Sequence, residues 1–268
     1  MKKYILHILF ILTFVSCEEV IKIDLETASP KLVIDANLYF DTNIPTLNQK
    51  IKISKTVAFY AETYDAYTDA QVWIEDALGN RYDFIDNAQN GNYICNNFQM
   101  HLNTNYTLYV IADGNTYKAE DTFFNTPSIT KIEQKNDGGF FGNSFEFKIW
   151  FQDNPNQQNF YQLIDNISGT KEFDVKDDTF SNGNLMNYIV SDDEIKIGES
   201  FNITFSETSK SYYEYMEKIL SISQGAGNPF ASPIGVIRGN IINQTHADNY
   251  PLGYFSLHNS INKTITVQ

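Results

Sequence analysis

The chain has little of what usually carries chemistry or crosslinks: two cysteines, four histidines and two tryptophans in 268 residues, with 19 basic residues set against 33 acidic ones. Two cysteines exclude the disulfide framework that staples small secreted domains, so stability has to come from packing. The histidines are scattered at His7, His101, His246 and His258. No HxxxH, HExxH or Cys/His cluster links them, and a zinc site would have to gather ligands from distant parts of the chain. No GxSxG elbow marks a serine hydrolase, and neither Asp177-Asp178 nor Asp192-Asp193-Glu194 has calcium-loop spacing. Those acidic runs read as solvated loop faces. A formal net charge of −14 repels phosphate backbones, because nucleic-acid affinity depends on Lys and Arg displacing counterions. The residues therefore predict no nucleic-acid partner, no enzyme, no metal and no cofactor.

Long apolar runs are scarce as well. The run from Tyr4 to Val15 follows Lys2-Lys3 and ends at the small Ser16, which is the outline of a signal peptide. It is too short for a membrane span, which needs about 20 apolar residues. Ser16 before Cys17 resembles a bacterial lipobox, with Phe14 departing from the usual leucine. On that resemblance residues 1–16 are removed, Cys17 becomes the acylated first residue, and 17–30 form a lipidated tether. Several acyl chains anchor stably at about 0.8 kcal/mol per buried CH₂. Cys95, in GNYICNNF, is then left without a partner and reads as a buried small hydrophobe.

What is abundant is aromatic: 17 tyrosines and 20 phenylalanines, which suit half-buried strand faces. KLVIDANLYF (31–40), QKIKIS (49–54), AQVWIEDALGNRYDFID (70–86) and YTLYVIADGNTYKAEDTF (106–123) alternate or run apolar. Leu78-Gly79-Asn80 and Asp113-Gly114-Asn115 are hairpin signals, since Gly and Asn tolerate positive φ. This spacing predicts an immunoglobulin-like or transthyretin-like β-sandwich over residues 31–126.

A second β-rich region is expected over 127–268. FEFKIWFQD (145–153) and NFYQLID (159–165) flank Asn154-Pro155-Asn156, IKIGESFNITFS (195–206) reads as a turn between strands, and VIRGNII and LGYFSLHNSINKTITV read as terminal strands. One helix is predicted over 209–224, with Tyr212, Tyr215, Met216, Ile219, Leu220 and Ser223 on one face, Thr208 or Ser209 as cap and Gly225 as terminator. Among the aromatics, Phe59, Tyr60, Tyr64 and Tyr67 in VAFYAETYDAYTDA, and Phe140 and Phe141 in NDGGFFGNSF, fall in polar or Gly-rich loops. They are the candidate interaction residues, as Tyr and Phe on loops suit sugar stacking or protein interfaces.

Together EEVIKIDLETASPKLVIDANL (18–38), IKISKTVAFY (51–60), NTNYTLYVIADGNTYKAEDTF (103–123) and the succession GNPFASPIGVIRGNI (227–241) and LGYFS (252–256) resemble the domain of unknown function 4249 family of Bacteroidota lipoproteins. Glu18-Glu19 is similar to the signal that exports such lipoproteins to the cell surface. The resemblance implies an outer-membrane lipoprotein, a TonB-dependent transporter as partner, and a non-enzymatic accessory or binding role in nutrient uptake. It carries no catalytic residues. A stand-alone carbohydrate- or peptide-binding lipoprotein, a surface structural or adhesion protein, and a hydrolase, which would need a pocket with converging carboxylates or histidines, are the other readings. From the residues themselves, Gly225, Gly227 and Pro229 end the helix, Phe230 plugs a sheet edge, and Asn228 and Asn240 bond to turn backbones.

Overall fold

The computed structural model describes residues 29–41, 48–58, 61, 63–225 and 235–268. Cys17, Phe59, Tyr60 and the Gly227 to Phe230 stretch lie outside the described residues. In chain order the first part forms β1 (Leu32–Phe40), β2 (Gln49–Lys55), β3 (Asp65–Ala66), β4 (Gln71–Asp76), β5 (Arg81–Phe84), β6 (Asn92–Cys95), β7 (Thr104–Ala112) and β8 (Asn115–Phe123). The second forms β9 (Ile129–Gly138), β10 (Ser144–Gln152), β11 (Phe160–Ile167), β12 (Thr170–Asp177), β13 (Leu185–Asp192), β14 (Ser200–Thr208), the helix α1 (Lys210–Gly225), β15 (Ile242–Asn243) and β16 (Leu252–Thr266).

These strands build two sandwiches. In the first, β6, β2, β1 and the first half of β16 face the sheet β15-β8-β7-β4-β5. Alternation puts Ile34, Ala36, Leu38, Ile51 and Ile53 opposite Val72, Ile74, Tyr106, Leu108 and Val110 in one core. In the second, β12, β11, β14 and the last part of β16 face β13-β10-β9. Its core is largely rings: Phe151 packs on Tyr161, Phe205 and Tyr188 with centroids 4.7, 4.6 and 6.0 Å apart, and Phe147 meets Phe201 at 4.9 Å. Each fully buried ring of this kind contributes roughly 1.5–3 kcal/mol. A mainly β fold with a first sandwich, a second β-rich region and one helix is the architecture read from the strand pattern; that the second region is itself a sandwich is seen in the structure.

The two sandwiches share one strand. β16 pairs in parallel with β1 from Val33↔Leu252 to Phe40↔Asn259, then antiparallel with β14 from Ser206↔Ser260 to Ser200↔Thr266. A boundary at 126/127 thus marks where the chain first leaves the first sandwich, to which it returns with β15 and β16. The structure departs from the sequence reading of this second region at one strand. Residues 235–241 form no strand, so of VIRGNII only Ile242 enters β15, while Ile195 to Gly198 form a turn leading into β14, in keeping with the turn read there. The hairpin turns hold as read: Gly79 has φ 84°, and Asp113 and Gly114 have φ 48° and 71°, both positive as a type I′ turn requires.

α1 begins one residue after Ser209, whose carbonyl accepts the Tyr213 N–H at 3.0 Å. Tyr212 and Met216 are buried and Tyr215 is half-buried against Tyr254, while Ser223 is exposed, so the packed face is shorter than the periodic stripe. The helix covers the outer side of the large sheet where the sandwiches meet.

Candidate functional site

The joint between the sandwiches is polar on both sides of the shared sheet. Successive residues of a strand point to opposite faces, so Tyr161 and Glu207, paired across β11 and β14, point inward, while Gln162 and Ser206, the next pair, point outward.

On the outer side, beneath α1, lies His258, fully buried. Its ring stacks on Tyr39 at 4.5 Å and meets the edge of Tyr212 at 4.9 Å. Tyr212 donates to Gln162 Oε1 at 2.7 Å, and Gln162 Nε2 donates to the Tyr39 hydroxyl at 3.2 Å. The Ser256 hydroxyl donates to Asn37 Oδ1 at 2.6 Å, so at 2.7 Å it must accept from His258 Nε2–H. Nδ1 is then the acceptor for Ser206 at 3.3 Å. At Ser256 this direction is opposite to that of a serine activated by a histidine base, the Ser206 contact is long at 3.3 Å, and burial pushes the imidazole down to about 3. His258 is a neutral packing group.

On the inner side three carboxyls are buried together. Asp153 accepts from the Tyr161 hydroxyl and from the Gly183 N–H, both at 2.6 Å. Asp178 Oδ2 accepts the Asn159 N–H at 2.9 Å, and Asn159 Nδ2 donates to Glu207 Oε1 at 2.6 Å. Burial pushes the Glu207 carboxyl up to about 7, with the neighbouring Asp153 and Asp178 adding to the shift and the Asn159 bond opposing it. Burial likewise raises Asp178. Oδ1 of Asp178 and of Asn159 are buried without a partner among the described residues.

In front of Glu207 opens a cleft of about 400 Å³, lined by Asn103, Asn125 and Pro127 on one side and Asn154, Gln157 and Tyr161 on the other. Four carboxamides and a carboxyl offer paired donors and acceptors to a small polar ligand. Asn103, at the rim, adopts φ 58°, a left-handed conformation uncommon outside glycine. The backbone ties the two halves here: the Glu207 N–H donates to Thr126 Oγ1 at 2.8 Å, and Thr126 donates to the Asn259 carbonyl at 2.5 Å. Among the described residues no group of three or more His, Cys, Asp or Glu is arranged to hold a metal ion.

The candidate aromatics do not converge. Tyr64 is half-exposed with Lys52 Nζ 3.7 Å above its ring. Tyr67 is committed to structure: its hydroxyl donates to Asp113 Oδ1 at 3.0 Å and accepts from the Asp113 N–H at 2.9 Å, beside the Lys55–Asp113 ion pair at 2.9 Å. Phe140 and Phe141 are 96% and 85% exposed, an edge-to-face pair at 5.0 Å in the β9–β10 turn. The first pair lies at the outer end of the first sandwich and the second at the far end of the other. Cys95 is buried, as expected of a small hydrophobe, and burial raises its thiol pKa.

Asp178, read from the sequence as part of a solvated loop face, is instead buried in the joint because it accepts the Asn159 N–H, and no motif marks the other residues that build the joint. One signal was available in FNITFSET: Phe201, Ile203 and Phe205 take the inward positions, and the next inward position is Glu207. A carboxylate on a core register is unusual unless partnered.

Fold and joint together define a two-sandwich β protein with a polar cleft between its halves. The chain belongs to the family described as domain of unknown function (DUF4249), whose model matches residues 18–264. No curated protein matches it. Among solved structures it is similar to a two fibronectin type-III domain segment from chicken tenascin, at 10% identity over 88% of this chain and 98% of that one, with a TM-score of 0.23. It is also similar to a chain of a cytokine receptor complex, at 7% identity over 68% and 85% with a TM-score of 0.24. A third is the chicken interferon gamma receptor alpha chain, at 10% over 67% and 89% with a TM-score of 0.20. No helix among the described residues is long and apolar enough to cross a membrane.

Proposed function

We propose that the protein is an outer-membrane lipoprotein, held by acyl chains on Cys17, that serves as a non-enzymatic accessory or binding subunit of a TonB-dependent nutrient-uptake system. The observation that carries this reading is the start of the family match at residue 18, directly after Cys17, with β1 following at Leu32. The leader lies outside the family body, and a short tether separates the cysteine from the first strand. Such a tether raises the effective concentration of the body at a membrane partner into the mM range. The exposed Phe140–Phe141 pair, at the end remote from the tether, supports contact with a partner or cargo.

The carboxamide-lined cleft supports the binding half of the role and favours a small polar cargo. It equally favours the second reading, a stand-alone lipoprotein that binds carbohydrate or peptide. Affinity purification from detergent-solubilised outer membrane, through a C-terminal tag, separates the two. A TonB-dependent barrel recovered stoichiometrically with the acylated chain, and lost with Cys17→Ala, is the expected result. Recovery of the acylated chain alone overturns the accessory role and leaves the stand-alone binder.

A further inference from the structure

The end of the first sandwich at which the chain enters carries an unusual set of side chains. Lys31, immediately before β1, holds its Nζ 3.8 Å from the centroid of the Tyr250 ring, and the Arg238 guanidinium carbon lies 3.7 Å from the same centroid. Two cations cannot share one face at those distances, so they take opposite faces of the ring. Neither makes an ion pair among the described residues, whereas Lys55, Arg81 and Lys118 of the same sandwich are each paired with a carboxylate. Lys52, stacked on the half-exposed Tyr64, is a third cation without an ion pair among the described residues.

Around them three apolar groups stand out: Val57 is 44%, Tyr64 51% and Val236 64% exposed. The Thr56 N–H bonds to the Lys31 carbonyl at 2.9 Å and the Lys31 N–H to Thr56 Oγ1 at 2.9 Å, which sets Val57 beside Lys31. Val236 is two residues from Arg238. The acidic groups at this end are Asp35, opposite Lys52 in the β1–β2 register, Asp65 on β3 and Asp113, which both face Lys55, and Asp248, two residues from Tyr250. In a chain of net charge −14 this end therefore combines unpaired cations, tyrosine and exposed valine. That is the combination that sits at a lipid–water boundary, with apolar groups among the acyl ends, tyrosine at headgroup level and cations on phosphates.

We infer that this end, Lys31, Arg238 and Tyr250 with Lys52, Tyr64, Val57 and Val236, docks on the phosphate-bearing headgroups of the membrane to which Cys17 tethers the chain. Docking stands the body upright, with the joint cleft raised above the surface and Phe140–Phe141 outermost. The inference deepens the anchored reading and rests on it for its setting. Its assay does not, because it uses the chain from residue 17 with Cys17→Ser and no acyl group.

The chain is sedimented with vesicles of phosphatidylcholine, with or without phosphatidylglycerol. Binding is expected to the anionic vesicles only, to weaken with added salt, and to fall about fivefold for each of Lys31→Gln and Arg238→Gln, the factor for one basic residue at an anionic leaflet. Lys31→Arg is expected to retain it, Lys263→Gln on the second sandwich to leave it unchanged, and thermal unfolding of each variant to confirm folding. Equal binding to both vesicle types, unchanged binding by the Gln variants, or displacement by soluble glycerol phosphate at matched ionic strength overturns the inference. Absence of acylation at Cys17 in cells overturns the anchored reading while leaving the vesicle result as measured.

Discussion

Gly239 lies backbone to backbone against Gly253: a Cβ on Gly239 would come within 1.8 Å of the Gly253 carbonyl oxygen, and one on Gly253 within 2.0 Å of the Ile34 oxygen. Asn240, the next residue, clasps the same place. Its Oδ1 accepts the Phe255 N–H at 2.9 Å, and its Nδ2 donates to the carbonyls of Phe255 at 2.8 Å and Glu120 at 3.3 Å. Phe255 belongs to one sheet of the first sandwich and Glu120 to the other, so a single side chain ties the two. The family-bearing GNI and LGYF segments thus meet in one close packing of three strands.

Gly253 also has φ 98°, a conformation that side-chain-bearing residues rarely adopt. Gly253→Ala therefore combines backbone strain with a clash against β1. We expect a loss on the order of 3 kcal/mol in urea unfolding. Asn240→Ala, which leaves the Phe255 and Glu120 groups without their partner, is expected to cost about 1–3 kcal/mol. Gly79→Ala, with nothing near its Cβ position, meets only the conformational penalty and loses about 1 kcal/mol.

The strand content and the hairpin turns were legible because they rest on local rules: period-two alternation and positive φ at Gly, Asn or Asp. The joint was not, because its residues come together only through the register of β16, whose partners β1 and β14 are distant in sequence. Asn240 shows the limit well. Its polarity pointed to backbone bonding, yet it bonds to strand backbones of two sheets, and nothing local distinguishes those from a turn. Tyr67 shows the converse, since a tyrosine in a polar segment looked free but anchors the Asp113 turn from a distance.

The two polar clusters give opposite pH responses. The Glu207 carboxyl rises from 4.5 to about 7 in the folded chain, so between those values the fold holds a proton that the unfolded chain has released. Its contribution is fully present below pH 4.5 and is lost as pH rises through 7, by an amount on the order of 2–3 kcal/mol. His258 is lowered from 6.5 to about 3 by burial, so stability falls as pH drops from 6.5 toward 3. Glu207→Gln is expected to flatten the alkaline decline and to exceed the natural chain in stability at pH 8. Urea unfolding from pH 4 to 8 checks both limbs, and an unchanged alkaline slope in Glu207→Gln would assign that decline to another buried carboxyl such as Asp121, itself raised by burial to about 6.

Exposed aromatics at a turn contribute to binding without contributing to the core. Phe140 and Phe141 touch each other and otherwise project from the β9–β10 turn, so Phe140→Ser with Phe141→Ser is expected to change stability by less than about 0.5 kcal/mol. Recovery of the outer-membrane partner in the tagged purification is expected to fall. A double variant that retains full recovery removes the pair from the interaction surface.

The fate of the two cysteines separates the anchored chain from an unprocessed one by a count of thiols. Cys95 is buried, its Sγ lies 3.1 Å from Asn97 Oδ1, and burial raises its pKa, so it holds little thiolate and is closed to reagents. In the acylated chain Cys17 is a thioether. Ellman's reagent should then find no thiol in the folded protein isolated from membranes and one after unfolding in guanidinium. The same chain made without the leader, beginning at residue 17, should show one thiol folded and two unfolded. A fast-reacting thiol in the membrane-isolated protein would mean that Cys17 is free, and the acyl anchor and the tether would fall together, leaving headgroup docking to the vesicle assay alone.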